Sequence, residues 1–281
     1  MLTVDRHDRN IVGFTYVYPV VSRRARGVSI GINLNPNSAC NWRCVYCQVP
    51  GLVRGGAPDI DLGRLERELD SMLEAAVRGD FLERHVEPHL RQLRDVAFSG
   101  NGEPTSSPQF REAVDVVSEA IRRAGVSLPI VVITNGSLVG RASVQDTFRH
   151  LGAMGGRIWF KLDAGTDAGM RSTNSVHTRV ARQLDRLRLT STLCATWVQS
   201  CWFVRRDNEP DPVEVDHYVR SLGALWREGV PLKGVYLYTL ARTPSQPEVS
   251  ELGPVTQVWL ERLAQRLRDE GLTVDEPPPV G

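Results

Sequence analysis

Short apolar segments alternate along this chain with longer segments in which apolar residues recur every three or four positions. Apolar segments of strand length occupy 28–34, 95–99, 129–134, 157–163, 192–200 and 234–240. Helical periodicity follows each of them, near 62–76, 107–125, 143–151, 177–189, 215–225 and 255–267. Six such alternations predict an α/β fold with parallel strands and right-handed crossovers. The loops at the carboxyl ends of the strands are where such folds, whether barrels or open sheets, carry function.

The two ends of the chain do not continue this alternation. Residues 1–27 predict an N-terminal extension, within which 11–27 is rich in Val, Tyr and Arg and is compatible with a short hairpin. Residues 28–272 hold the six units, and 273–281 form a Pro-rich tail. No apolar segment approaches the ~20 residues that span a membrane. We therefore expect no membrane association. Because Met1–Asn10 is charged, we also expect no secretory signal.

Composition and charge restrict the partners only weakly. A chain of 281 residues that is 41% hydrophobic suits one large α/β barrel or two small domains. The net charge of +1 is spread unevenly, with +5 in each of 1–56 and 137–191 and an excess of acids elsewhere. The net charge does not favour nucleic acid, but the two basic segments leave an anionic substrate open. Ordinary surface charge is the alternative explanation.

Three of the five cysteines, Cys40, Cys44 and Cys47, follow the first predicted strand with the spacing C-x3-C-x2-C. Thiolates at this spacing can converge on one iron–sulfur cluster, and three of them leave one iron of a four-iron cube open. Buried free thiols or a zinc site are the alternatives. Zinc motifs usually add a second pair of Cys or His, and none follows here. The number of cysteines is odd and three of them lie close together, so a disulfide framework is not expected. A reducing, cytoplasmic location is expected instead.

Polar and glycine residues collect at the carboxyl ends of the other predicted strands. They are Gly100-Asn101-Gly102-Glu103-Pro104, Thr134-Asn135, Asp163 and Tyr238. Together with the cysteines they would lie on one face of the fold.

With these motifs the chain resembles the radical S-adenosylmethionine (SAM) enzymes. The resemblance depends on the cysteine motif with Tyr46 before its last Cys, on the Gly100–Pro104 loop, and on the six βα units over most of 28–240. It implies a partial (βα)6 TIM-type barrel and a [4Fe–4S] cluster on the three cysteines, with SAM bound to the open iron. An electron from the cluster would split SAM into methionine and a 5′-deoxyadenosyl radical, which removes a hydrogen atom from the substrate. A reductant such as flavodoxin or ferredoxin is then expected.

The resemblance also suggests which residues contact SAM. Those expected to bind it are Tyr46, Gly100, Asn101, Gly102, Glu103, Thr134, Asn135, Lys161, Asp163, Gln199 and Tyr238. The Glu103 carboxylate would meet the SAM ammonium group, and Thr134 with Asn135 would meet the ribose. Lys161, one of only two lysines, would pair with a carboxylate, and Asp163 with a ribose hydroxyl.

Each of these roles has a structural alternative. Glu103 could be an exposed loop residue, Thr134-Asn135 a plain turn, and Lys161 with Asp163 a buried ion pair. Gln199 and Tyr238 could border the adenine or the substrate, or could be polar residues of the core.

The remaining two cysteines are seven positions apart, so a regular strand would place them on opposite faces. Cys194, early in the fifth predicted strand, is expected in the core. Cys201, at the catalytic end and in phase with Gln199, is a candidate catalytic thiol facing the substrate.

Within the superfamily, further motifs resemble the wyosine-synthase-like branch, whose members condense pyruvate with N1-methylguanosine in tRNA. They are Tyr18-Pro19-x2-Ser22-Arg23-Arg24, Lys161-Leu162-Asp163-Ala164-Gly165 and Tyr236-x-Tyr238-x-Leu240-Ala241-Arg242. Wyosine synthases carry a second cluster on N-terminal cysteines, whereas no Cys precedes Cys40 here. We therefore predict a single-cluster enzyme acting on a nucleobase or small metabolite, with tRNA as one possible substrate. A glycyl-radical-enzyme activase and a non-catalytic iron–sulfur electron carrier are the alternatives.

Overall fold

The computed structural model describes residue 2 and residues 12–22 and 25–275. Its strands are β1 (Val17–Ser22), β2 (Gly27–Asn33), β3 (Ala39–Cys40), β4 (Val53–Arg54), β5 (Leu93–Ser99), β6 (Ile130–Thr134), β7 (Arg157–Lys161), β8 (Ala195–Cys201), β9 (Phe203–Arg205), β10 (Leu232–Tyr238), β11 (Leu252–Pro254) and β12 (Val274–Asp275). The central sheet has the order β1-β2-β5-β6-β7-β8-β10-β12. Its six inner strands, from β2 to β10, are parallel to one another, which confirms the predicted α/β fold.

The edges of this sheet come from the two ends of the chain. β1 pairs antiparallel with β2, so the second half of the predicted N-terminal extension does form a hairpin arm. β12 pairs in parallel with β10, so two residues of the predicted Pro-rich tail extend the sheet. The predicted segments Met1–Asn10 (apart from Leu2), Arg23-Arg24 and 276–281 lie outside the described residues.

Helices separate the parallel strands and cover the outside of the sheet. They are α1 (Leu62–Val77), α2 (Phe81–His85), α3 (Phe110–Ala124), α4 (Ala142–Ala153), α5 (Asp167–Asn174), α6 (Val180–Leu193), α7 (Pro212–Arg227) and α8 (Gln257–Asp269). Their apolar faces form the main core with the outer faces of the strands. No helix among the described residues is long and apolar enough to cross a membrane.

The segment between β7 and β8 differs from the sequence prediction. In place of one helix near 177–189 there are two, and α6 includes Thr192 and Leu193, which were predicted to begin a strand. Helix α5 has no apolar stripe because Met170 is its only large apolar residue. The Thr166 side chain caps its first turn, and Met170 is fully buried in the core. The helix is therefore stabilised by its cap and by tertiary packing, although its sequence has no helical periodicity.

Aromatic residues fill the concave side of the sheet. Trp197 stacks on Tyr236 with ring centroids 4.5 Å apart, and Trp159 lies 5.2 Å from the same ring. This packed layer also contains Ala97 and Val131. Trp159 and Ala97 from it line a cavity that is described below.

Candidate active site

A cavity of about 300 Å³ opens at the carboxyl ends of the parallel strands. Its wall includes every residue that the sequence predicted for the site except Thr134 and Asp163. Those that line it are Cys40, Cys44, Tyr46, Cys47, Gly100, Asn101, Gly102, Glu103, Asn135, Lys161, Gln199, Cys201 and Tyr238. Trp159 and Ile133 also line the cavity, so the aromatic layer of the barrel closes its base.

The loop that carries Cys40, Cys44 and Cys47, called the cysteine loop below, follows β2 and is held at three points. Near its start, β3 pairs with β4. In the middle, the backbone N–H groups of Arg43 and Val45 donate to the carbonyl oxygens of Asn174 and Thr173 at the end of α5, at 3.3 and 2.9 Å. At its end, the carbonyl of Cys47 accepts from the N–H of Ser245 at 2.8 Å. The loop that carries the thiols is therefore positioned by the segments after β7 and β10.

The three thiols suit a four-iron cluster in both placement and environment. All three line the one cavity, and two of them accept hydrogen bonds: Cys40 from the N–H of Trp42 at 3.5 Å, and Cys44 from the side-chain amide of Asn174 at 3.2 Å. Such N–H donors stabilise thiolate ligands of iron–sulfur clusters. Burial raises the pKa of Cys40 to about 11 and that of Cys44 to about 12, a cost that bound iron would offset.

A single metal ion fits less well. Among the described residues, no three His, Cys, Asp or Glu side chains are close enough together to hold one ion. In a cube each thiolate binds a different iron, so its ligands need not converge on one point. The arrangement favours a cluster over zinc.

The Gly100–Pro104 loop packs directly on the cysteine loop. A Cβ atom at Gly102 would lie 2.1 Å from the carbonyl oxygen of Ala39, and Gly100 has a φ of +117°, which favours glycine. The N–H of Asn101 donates to Asn33 Oδ1 at 3.0 Å. Glycine is therefore required at two positions for these loops to meet at the cavity wall.

Glu103 is buried and already well paired. Its Oε1 accepts from the hydroxyls of Thr105 and Thr134 at 2.5 and 2.6 Å, and its Oε2 accepts from the N–H of Asn135 at 2.7 Å. Burial raises its pKa, and these hydrogen bonds oppose the rise. The structure thus excludes an exposed loop glutamate and shows that Glu103 ties the end of β5 to the end of β6. Contact with SAM stays a prediction.

Thr134 and Asn135 have different surroundings. The Thr134 hydroxyl faces Glu103 and not the cavity, so its predicted contact with a ribose is not supported by its position. Asn135 lines the cavity, and its amide donates to Asn41 Oδ1 at 2.8 Å, which links β6 to the cysteine loop.

Asp163 lies behind the cavity wall, as the structural alternative predicted. Its Oδ2 accepts from the hydroxyl of Tyr46 at 2.5 Å and from the amide of Asn174 at 2.9 Å, and its Oδ1 accepts from the N–H of Cys201 at 3.1 Å. The Asp163 side chain has no exposed surface. Its position does not support the expected contact with a ribose hydroxyl, which stays a prediction, because its oxygens already accept from groups of the protein.

Lys161 connects this buried network to the cavity. Its Nζ lies 3.5 Å from Asp163 Oδ2 and donates to the hydroxyl of Tyr46. The Lys161 side chain is 16% exposed and lines the cavity. Burial lowers the pKa of Lys161, but Asp163 together with Tyr238, Cys44 and Cys201 raises it above its ordinary value. These surroundings favour the protonated amine.

Comparison with solved structures places this arrangement in a known fold. The model superposes on TYW1 with a lysine-pyruvate adduct bound (TM-score 0.57, 15% identity), covering 87% of this chain and 74% of that one. It superposes equally on a radical SAM methyltransferase from Sphaerobacter thermophilus (TM-score 0.58, 16% identity), covering 89% and 66%. The chain has the radical SAM fold. Archaeal TYW1 shares it too (TM-score 0.51, 14% identity), over 94% of this chain and 77% of that one.

Sequence comparison reaches fewer residues. No family model matches the chain. A UPF0026 protein of Methanocaldococcus jannaschii is 28% identical over 164 residues, which are 57% of this chain and 43% of that protein. The GTPase Obg of Brachyspira hyodysenteriae is 28% identical over 129 residues, 45% of this chain and 16% of that protein. The matched region is thus less than half of the length of either relative.

The last strands of this radical SAM fold carry the remaining predicted residues. Lys161 and Gln199 are paired in register on β7 and β8, and Cys201 and Tyr238 on β8 and β10. All four line the cavity. Cys194 instead caps the end of α6, and its thiol donates to the carbonyl of Gly156 at 3.3 Å within the core.

Two site residues were not predicted from the sequence. Asn174 reaches Cys44 from a helix that has no periodic signal, and Asn41 bridges the cysteine loop to Asn135 and Ser137. Asn41 lies inside the cysteine motif, and this position is the one sequence feature that could have predicted its place in the site.

Proposed function

We propose that this protein is a radical SAM enzyme that binds a single [4Fe–4S] cluster and SAM and acts on a nucleobase or small metabolite. One observation carries the proposal: the three motif thiols line the same cavity as the Gly100–Pro104 loop, Asn135 and Lys161. At about 300 Å³ this cavity is at the lower end of the range for ligand sites. When bound, the cluster supplies the electron that cleaves SAM and so generates the radical that attacks the substrate.

The chain's own residues would hold and shield these groups. Cys40, Cys44 and Cys47 are the proposed iron ligands. Lys161 presents a cation to the cavity and is proposed to pair with the SAM carboxylate. Polar contacts to the rest of SAM would come from Asn135, and the Trp159 layer beneath would exclude water from the reacting groups.

The cavity also weighs against an electron carrier. A carrier needs a cluster near the surface but no space beside it, whereas here polar groups from successive strands surround an open volume next to the thiols. We infer that the reductant is a separate flavodoxin- or ferredoxin-like protein and that the reaction takes place in the reducing cytoplasm.

The substrate is proposed from the fold and from Lys161. TYW1, which shares the fold, has been seen with a lysine-pyruvate adduct. Of the two lysines of this chain, Lys161 lines the cavity and Lys233 is exposed at the other end of β10. A wyosine-type reaction on tRNA by way of a lysine adduct would thus have to use Lys161. Because the Asp163 carboxylate lies 3.5 Å from the amine and favours its charged form, the ionic role is the better supported one.

Anaerobic reconstitution with iron and sulfide, followed by reduction with dithionite in the presence of SAM, tests the proposal. We expect methionine and 5′-deoxyadenosine to form, and to form no longer in the variant with all three motif cysteines replaced by Ala. A reconstituted, reducible cluster that never cleaves SAM would instead identify an electron carrier. Incubation of the active enzyme with tRNA and with a labelled small keto acid then defines the substrate, by showing which of the two is converted.

A further inference from the structure

Helix α5 ends directly against the cysteine loop. Asn174, its last residue, is fully buried, and its side-chain amide nitrogen lies 3.2 Å from Cys44 Sγ and 2.9 Å from Asp163 Oδ2. One amide group therefore bridges a proposed cluster ligand and a buried carboxylate. The loop is held here independently of this side chain, through hydrogen bonds to the backbone carbonyls of Asn174 and Thr173.

The orientation of this amide is set by its neighbours. The Asp163 carboxylate is an acceptor, and Cys44 would be one as a cluster ligand, so the amide nitrogen faces both. Asp163 is held in turn by the hydroxyl of Tyr46 and the N–H of Cys201. The amide oxygen consequently points to a place where it has no hydrogen-bond partner among the described residues. A buried acceptor without a partner costs stability, so the side chain is not explained by its contribution to folding.

We infer that Asn174 is a positioning residue that directs an N–H donor at Cys44 and raises the reduction potential of the cluster. The inference depends on the proposed function, since it requires a cluster on Cys44. A hydrogen bond to a ligand sulfur is stronger when the cluster carries more negative charge, so it favours the reduced state. Asp163 holds the amide in the donating orientation, and Tyr46 and Lys161 hold Asp163.

The test compares the midpoint potential of the reconstituted cluster in wild type and Asn174→Leu, by redox titration followed by electron paramagnetic resonance. Leucine has the same branched shape, though a larger volume, and removes the donor, while the backbone anchor of the loop and the other donors to Asp163 remain. We expect the ratio of reduced to oxidised cluster at the wild-type midpoint to fall about tenfold, which equals about 59 mV for one electron. Thermal stability should be unchanged or higher, because the unpaired acceptor is also removed.

Gln183→Met is the matched control. Gln183 is another fully buried amide beside the site, and it donates to the backbone carbonyls of Asn135 and Lys161 but to no sulfur. Its variant should keep the wild-type potential. Asn174→Ala, which also lacks the donor and cannot overfill the site, replaces the Leu variant if that one does not fold.

The outcomes separate this inference from the proposed function. Wild type that binds no cluster would refute both. Wild type with a normal cluster and SAM cleavage, together with an unchanged potential in the folded Asn174 variant, would overturn only the role of Asn174. An equal shift in Gln183→Met would also overturn it, because the shift would then come from any disturbance near the site.

Discussion

The Oε2 atom of Glu103 accepts a hydrogen bond from the backbone N–H of Asn135, 2.7 Å away. This bond joins the loop after β5 to the loop after β6, two neighbouring strands of the barrel. It changes what substitution of Glu103 is expected to do, because the carboxylate supports the cavity wall as well as any ligand in it.

We predict that Glu103→Ala lowers the free energy of unfolding by about 3 kcal/mol, since buried donors left without an acceptor cost about 1–3 kcal/mol each. It should also weaken SAM binding by about one to two decades while the cluster remains. Glu68→Ala is the matched control. Glu68 is another buried carboxylate that accepts from backbone N–H groups, those of Thr15 and Tyr16, but it lies away from the cavity. Denaturation should therefore show lower stability in both variants. Equilibrium binding should show weaker SAM binding in Glu103→Ala alone. Equal SAM affinity in the two would remove Glu103 from the site.

Replacing Cys40, Cys44 or Cys47 with Ala should abolish both the cluster and SAM cleavage. Reconstituted wild type should bind about four irons per chain, as one cube requires. Cys194→Ala serves as control, because this thiol lies in the core against Gly156 and should leave the iron content unchanged. Iron analysis and visible absorption measure the outcome. A count near eight in wild type would contradict the prediction of a single cluster. A four-iron cluster in the variant that lacks all three cysteines would contradict their assignment as its ligands.

Gly102→Ala should disrupt the contact between the Gly100–Pro104 loop and the cysteine loop. Its Cβ would meet the backbone oxygen of Ala39 at 2.1 Å, and a backbone atom cannot move aside as a flexible side chain can. We expect at least a tenfold loss of SAM cleavage, with reduced iron retention. In Gly140→Ala the added methyl meets no atom within 4 Å, so this variant should behave like wild type. Normal cleavage in Gly102→Ala would show that the two loops do not need this close approach.

Lys161→Arg distinguishes the two roles of Lys161. If the role is ionic, Arg keeps the charge and should retain part of the SAM cleavage that Lys161→Ala loses. If the role is covalent, Lys161→Arg should still cleave SAM but form no product, and borohydride with pyruvate should trap an adduct on wild type only. Full activity in both variants would make Lys161 a residue of the scaffold alone.

The pH dependence of SAM cleavage provides a separate test of Lys161. Its pKa is raised above 10.5 in the folded protein, because Asp163 and the neighbouring Tyr238, Cys44 and Cys201 together outweigh the effect of burial. The stability that its charge confers is thus fully present below pH 10.5 and is lost only as the pH rises through the folded-state pKa. Between pH 6 and 9 the wild-type profile should show no step that Lys161→Arg lacks. A step near neutral pH that disappears in Lys161→Arg would indicate a neutral amine instead.

The sequence alone determined the features that depend on residues close together in the chain. The C-x3-C-x2-C spacing, the glycine loop and the alternation of six strands with helices are local patterns. Local patterns were enough to predict the parallel α/β fold and the face on which the cavity lies. The phase of Gln199 and Cys201 on one strand also followed from a local rule, the alternation of side chains.

Only the tertiary structure decided how the polar residues of that face are used. Glu103 meets Thr134 across 31 positions and Tyr46 meets Asp163 across 117, and no pattern in the chain records such pairings. Helix α5 has no apolar stripe and forms because Met170 and the Thr166 cap find their places in the folded chain. A buried polar group must find a partner wherever the fold provides one. For that reason Thr134 and Asp163 face protein groups rather than the cavity, and Asn174 reaches Cys44 from a segment in which the sequence gives no sign of a helix.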